Sequence, residues 1–310
     1  MIFAARGIMV SLAFFATMYC PLSLLTLLAW WGAKRIRPAD ANSANLLFGL
    51  RIFPFAISVA VTVFLTFPSF WLMERPSLDE DTETFILAVG SLCILGAGLC
   101  RALRAQARTR RAVRSWRAGA TNIDCNPRTS LLSAAHGAPP LVLVGIRRPR
   151  VMVSDAAATL LSRDELQVAI RHEISHVRSW DNLKKSLVSA TPFPGMVGLE
   201  KAWQEAAELA ADHRAVANRQ EALDLAAALI KLSRSFQPLP RPVLATELVS
   251  GPSSINLRVD RLLKWRMAGR PSRHVWRWAL PVLLTVIVGI VSNYGAALVL
   301  THRLTELLVP

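Results

Sequence analysis

The chain contains four long stretches without a charged side chain, and no other feature restricts its fold as strongly. They cover Gly7 to Ala33, Ile52 to Met73, Thr84 to Cys100 and Trp278 to Thr301. A helix needs about 20 apolar residues to cross a bilayer, so we expect about four transmembrane helices. A cleaved signal peptide is the alternative for the first stretch, but that stretch is too long and lacks the small residues of a cleavage site.

The charged residues lie between these stretches and predict their orientation. The net charge is +15, although 53% of the residues are hydrophobic. Lys and Arg gather after the first and third stretches and before the fourth, whereas the loop between the second and third is acidic. Basic loops stay on the cytoplasmic side. We therefore expect three membrane helices in residues 1–101 with the N-terminus outside, a cytoplasmic domain over 102–277, a fourth membrane helix over 278–301 and a short external tail over 302–310.

The arginine-rich segment after the third stretch, from Arg101 to Arg117, has two interpretations. Such a segment could bind nucleic acid. A basic segment next to a membrane helix, however, attracts anionic lipid and fixes topology without any nucleic acid. The lipid bilayer is therefore an expected partner, and nucleic acid is not.

The region between the third and fourth stretches predicts a mainly α-helical domain with a small β-sheet. Leu141 to Val144 and Val151 to Val153 are short β-type runs, and Gly145 and Pro149 should turn the chain between them. Helices are expected at about 199–218, 221–236 and 254–267. The four cysteines show neither a paired spacing nor a zinc-binding one, so we expect no disulfide framework.

His172, Glu173 and His176 form the pattern H-E-x-x-H. The capping box Ser162-Arg163-Asp164-Glu165 predicts the start of the helix that carries them. Residues four apart share one helix face, so both imidazoles could bind one metal ion, most often zinc. Glu173 could then accept a proton from a water molecule. A helix that carries these residues by chance is the alternative.

The H-E-x-x-H pattern supplies two metal ligands, whereas a catalytic zinc usually has three protein ligands. Glu208 and His213 are the plausible further donors, on the helix predicted downstream. Glu205, Glu208 and Asp212 should share one face of that helix, because their spacings are three and four residues.

Three stretches resemble the peptidase family M56, which includes the β-lactam sensors BlaR1 and MecR1 and is related to the M48 group. They are residues 145–153, residues 172–183, and the stretch from Glu208 to Val216, which contains the pattern E-x-x-x-D. Three membrane stretches before this region and one after it are also similar to the family layout.

The resemblance implies a gluzincin-like zinc peptidase domain that holds one Zn²⁺ per chain. By motif, His172, His176 and Glu208 would be the metal ligands and Glu173 the general base. Asp212 would hold a ligand histidine by a hydrogen bond, while the role of Asp181 stays open. The implied protein is a multi-pass metalloendopeptidase of the bacterial inner membrane that acts in signalling or regulated proteolysis. Its protein or peptide substrate would be a cytoplasmic repressor, a membrane protein or the chain itself.

One departure from the family layout and two rival interpretations bear on this expectation. The sensor members carry a large extracellular domain after the last membrane helix, whereas here only His302 to Pro310 follow, so we do not expect a β-lactam receptor. An intramembrane protease is disfavoured, because charged residues flank the H-E-x-x-H pattern. The non-enzymatic alternative is a membrane scaffold or signalling receptor with a vestigial zinc site.

Overall fold

A computed structural model of the protein shows a mainly helical chain. It describes residues 2–36, 41–74, 82–117, 122–126, 129–134, 139–146, 149–235, 246–247, 252–265, 285, 288–289 and 291–309.

The first three uncharged stretches form helices that are long and apolar enough to cross a membrane. Helix α1 covers Ile2–Ile36. Helix α2 covers Ala44–Val61 and continues through a π-helical turn, Thr62–Thr66, into α3, Phe67–Met73. Helix α4 covers Thr82–Arg117, so the third stretch and the arginine-rich segment form one continuous helix. These three spans confirm the prediction that the first three stretches form membrane-length helices.

Of the fourth predicted membrane stretch, the structure describes residues 285, 288–289 and 291–301. Helix α11, Tyr294–Leu308, contains the end of that stretch and continues through most of the predicted tail. The Tyr294 hydroxyl donates a hydrogen bond to the Phe64 carbonyl, with an O···O distance of 2.8 Å. Pro68, four residues after Phe64, has no N–H to donate to that carbonyl. Tyr294 therefore provides a donor that the proline cannot, and it links α11 to the π-helical turn.

The small sheet contains the predicted hairpin and three further strands. Strands β1 (Asn122–Asn126), β2 (Thr129–Ala134), β3 (Leu141–Val144), β4 (Arg150–Ser154) and β5 (Thr246–Glu247) are arranged in the order β1-β2-β4-β3-β5. The β2 and β4 strands are parallel, and the other pairs are antiparallel. Gly145, with a φ of 95°, opens the turn between β3 and β4.

The sheet is covered on both faces, which explains why β3 is continuously apolar. Leu141 and Leu143 point to one face and pack in the main core with α6 and α9. Val142 and Val144 point to the other face, towards Val113 near the end of α4. Each such side chain contributes about 1.5–3 kcal/mol when it is fully buried.

The remaining helices follow β4 in the order α5 to α10. They are α5 (Asp155–Leu160), α6 (Arg163–Arg178), α7 (Asp181–Ala190), α8 (Val197–Ala215), α9 (Arg219–Ser235) and α10 (Pro252–Leu263). The last three match the predicted helices to within a few residues, whereas α7 was not predicted.

Helices α7 and α8 pack directly against the membrane-length helices. Leu199 and Trp203 of α8 share a buried cluster with Ala44 and Leu47 of α2. Buried Arg51 of α2 forms an ion pair with Glu200 of α8 at 2.8 Å. The predicted domain boundaries remain a prediction, but the two regions share a core.

Gly98 is the place where α4 and the end of α7 approach most tightly. A Cβ atom there would overlap the Ala190 carbonyl oxygen and would lie 2.9 Å from Pro192 Cδ. We expect Gly98→Val to lower the free energy of unfolding by about 1–3 kcal/mol, since overpacking displaces the backbone. Thermal unfolding in detergent measures this. Gly96→Val is the matched control, because a Cβ at Gly96 has no described atom within 4 Å; equal melting temperatures would contradict the tight approach.

Candidate metal centre

Helix α6 begins at the predicted capping box. The Ser162 Oγ accepts a hydrogen bond from the Glu165 N–H at 3.2 Å, and the Glu165 carboxylate accepts one from the Ser162 N–H at 2.8 Å. Lys231 of α9 donates to the same carboxylate at 2.8 Å. This start fixes the register of the helix, which places His172 and His176 on its inward face.

Three candidate ligand groups converge between α6 and α8. The Nε2 atoms of His172 and His176 lie 3.1 Å apart. The carboxylate of Glu208 lies 3.5 Å from the first of these atoms and 3.8 Å from the second. The structure therefore brings together the three residues that the motif pattern indicates as metal ligands.

Each imidazole is held from behind by a carboxylate. Asp212 lies 2.9 Å from His172 Nδ1, and Asp181 lies 2.6 Å from His176 Nδ1. Asp212 lies at ion-pair distance from a predicted ligand histidine, and the hydrogen bond expected there stays a prediction. The second contact gives Asp181, whose role the sequence left open, the same function for the other histidine. A carboxylate at Nδ1 keeps the proton there and turns the Nε2 lone pair towards the cluster.

This donor set fits a divalent cation. Two imidazole Nε2 atoms that lie 3.1 Å apart would repel unless a proton or a cation lies between them, and a cation bound to both meets this need. The separation suits two bonds of about 2.0–2.1 Å, and two His with one Glu is a known set of catalytic zinc ligands. Burial acts to lower the pKa of His172, but the neighbouring carboxylates of Asp212 and Glu208 outweigh it and raise the pKa to about 9. The carboxylates therefore favour additional positive charge at this point.

Glu173 lies beside the cluster and is fully buried. Among the described residues, neither of its carboxylate oxygens has a hydrogen-bond partner. Burial raises the pKa of Glu173 to about 8. A carboxyl group whose pKa lies near neutral pH can both accept and release a proton, which suits a general base.

Arg258 of α10 completes the centre, and sequence reasoning missed it. Its side chain is 1% exposed. Its Nε and Nη2 donate to the two oxygens of Asp212 at 2.7 and 2.6 Å, while Nη1 lies 3.1 Å from Glu208 Oε2. The sequence signal that could have found it is an arginine on the apolar face of a helix. Ile255 and Leu262, three residues before and four after Arg258, are buried on the same face of α10.

The two histidines and Arg258 keep Glu208 and Asp212 ionised. Burial acts to raise the pKa of Glu208, but the neighbouring His176, His172 and Arg258 lower it to about 2. The pKa of Asp212 is also lowered, because Arg258 and His172 outweigh the effect of burial. Glu208 is therefore an anionic ligand throughout the physiological pH range.

The other residues considered from the sequence lie outside the cluster. Glu205 and His213 are half-buried on α8, and neither belongs to the group of converging ligand atoms.

A cavity of about 100 Å³ adjoins His176. Its walls are mostly apolar and include Leu143, Ile146, Pro149, Trp180 and Leu183.

A comparison with protein families matches residues 86–262 to the family described as BlaR1 peptidase M56. The match covers more than half of the chain and includes most of α4, the β3–β4 hairpin and each member of the centre. A comparison with curated proteins finds none that matches. M56 proteins are membrane zinc metallopeptidases. The chain therefore belongs to the BlaR1 peptidase family M56.

Proposed function

We propose that this protein is a zinc metalloendopeptidase that cleaves protein substrates at the cytoplasmic face of the membrane it spans. The observation that carries the proposal is the convergence of His172, His176 and Glu208 beside the buried carboxyl of Glu173, which has no hydrogen-bond partner among the described residues. The basic residues along α4 and the predicted orientation support the cytoplasmic face.

His172, His176 and Glu208 would hold the ion. Bound zinc would polarise the scissile carbonyl and lower the pKa of a water molecule. Glu173 accepts a proton from the attacking water and passes it to the leaving amine, so that the C–N bond is replaced by a C–O bond. Asp212 and Asp181 hold the imidazoles in the tautomer that this arrangement needs.

The substrate belongs to one of three classes. By family resemblance it is a cytoplasmic repressor in a signalling pathway, a membrane protein or the chain itself. A comparison of new N-termini in cells with the active chain and with an inactive variant identifies it, because each class gives a different set of cleaved proteins.

We expect the full chain, purified in detergent without chelator, to contain about one zinc ion per molecule. The double variant His172→Ala/His176→Ala should lose that zinc, because one carboxylate cannot hold the ion alone. Elemental analysis measures the content. His213→Ala is the matched control, since His213 lies on α8 outside the cluster. A wild-type chain without zinc would instead favour the non-catalytic scaffold or receptor.

A further inference from the structure

The turn between α7 and α8, residues 191–196, lies deep among the membrane-length helices. Tyr19 of α1 donates a hydrogen bond from its hydroxyl to the Pro192 carbonyl at 3.0 Å. Tyr19 precedes Lys34, the next charged residue of α1, by about 22 Å along the helix. Helix α4 reaches the turn at a matching depth. Ser91 of α4 contacts Leu12 of α1, and seven residues further along each helix Gly98 and Tyr19 both contact the turn.

Described protein groups satisfy two backbone carbonyls of this turn, those of Thr191 and Pro192. The Thr191 carbonyl accepts a hydrogen bond from Arg51 Nη2 at 2.5 Å, and its hydroxyl accepts one from Nη1 at 3.2 Å. Glu200 neutralises the charge of Arg51. Irregular backbone is tolerated at membrane depth only where protein groups or a water-filled cavity satisfy it. For the carbonyls of Thr191 and Pro192, protein contacts meet this requirement.

The outward surface beside the turn is apolar. Leu187 on α7 is 42% exposed and Val197 on α8 is 73% exposed. The neighbouring part of α1 exposes Leu24, Leu25 and Leu28 by more than half. A patch of this kind is unfavourable in water and continues the surface of the spans.

The open end of the same hairpin carries a lysine and adjoins an exposed tryptophan. Lys184 donates to Asn45, near the start of α2, at 2.9 Å. Trp180 is 61% exposed directly before α7. Trp and Lys are typical of the interface between hydrocarbon and headgroups. Helix α7 has 10 residues, or about 15 Å, which is half of a hydrocarbon core about 30 Å thick.

We propose that the α7–α8 hairpin, residues 181–203, is a re-entrant segment whose outer surface is in contact with lipid. It enters the leaflet on the side of the metal centre, turns at residues 191–196 and returns. Arg101 and Arg104 of α4 follow Gly98, the residue that contacts the turn, and both are exposed. Their long side chains extend towards the headgroups. Since His176 precedes α7 by only five residues, the metal centre lies at the membrane surface. If the centre is the peptidase proposed above, the bond that it cleaves is also held there.

Spin labels on the two helices test this placement in the full chain. The four native cysteines are replaced, and Leu187→Cys and Val197→Cys are labelled separately and reconstituted into vesicles of phosphatidylcholine and phosphatidylglycerol. Leu223→Cys on α9, which is 36% exposed, is the control outside the hairpin. Both positions are on the surface, so the substitutions should leave the packing intact.

We expect both hairpin labels to collide more readily with oxygen than with a water-soluble nickel chelate, and the control label to show the opposite preference. Preferential collision with the nickel chelate at both hairpin positions would overturn the proposal, because that surface would face water. Low accessibility to both reagents would also overturn it, because a second copy or another protein would cover the surface. The measurement uses neither zinc nor cleavage, so its failure is distinct from failure of the proposed peptidase activity.

Discussion

The Glu173→Gln protein should bind zinc normally and cleave its substrate about 10²–10⁴-fold more slowly than the wild-type chain. Glutamine keeps the shape of glutamate but cannot accept the proton of the attacking water. The Glu173 oxygens have no hydrogen-bond partner among the described residues, so the substitution does not break an ion pair that supports the fold. The loss should therefore appear in turnover rather than in metal content.

The rate is measured on the substrate that the comparison of new N-termini identifies, with zinc content determined on the same samples. Glu205→Gln is the matched control, since Glu205 is a half-buried carboxylate on α8 outside the cluster. It should cleave at the wild-type rate. Undiminished cleavage by the Glu173→Gln protein would show that another group is the base.

The parts of this centre that local sequence could predict are those set by one helix. The capping box at Ser162 and the four-residue spacing of His172 and His176 are local properties, and the structure shows both. Glu208 lies 32 residues further along the chain than His176. Helical spacing alone left it open against His213, and the family pattern was needed to choose it.

The parts that could not be predicted depend on contacts between distant segments. Strand β2 has only Leu131 and Leu132 as large apolar residues, and its parallel pairing with β4 is set by tertiary packing. The contact of Arg51 with Thr191 and Glu200 joins residues about 140 positions apart. For that reason the packing of α7 and α8 against the membrane-length helices could not be predicted from the sequence.

Asp181 and Arg258 show why the surroundings of a metal centre are harder to predict than its ligands. Asp181 matched the family pattern, but its sequence position at a helix start fits a purely structural residue equally well. Only the 2.6 Å contact with His176 Nδ1 distinguishes the two roles. Arg258 lies on a helix that showed only a periodic apolar face, and its partners on α8 are 46 and 50 residues away.

Loss of Arg258 should have the largest effect on stability. Arg258→Met keeps a long apolar side chain but leaves Asp212 and Glu208 buried without their cationic partner. Breaking a buried ion pair from one side costs about 3–5 kcal/mol, and we expect that decrease in the free energy of unfolding of the zinc-free protein. Added zinc should restore part of it, because the ion supplies positive charge next to Glu208.

Two further variants separate charge from geometry. Arg258→Lys retains the charge but cannot bind both Asp212 oxygens through a planar group, so its stability should lie between those of the wild type and Arg258→Met. Arg261→Met, on the exposed face of the same helix, is the matched control. Chemical unfolding in detergent, with and without zinc, measures all four proteins. If Arg258→Met unfolded at the same denaturant concentration as the Arg261→Met control, Arg258 would not be the counter-charge that holds Glu208 and Asp212 in place.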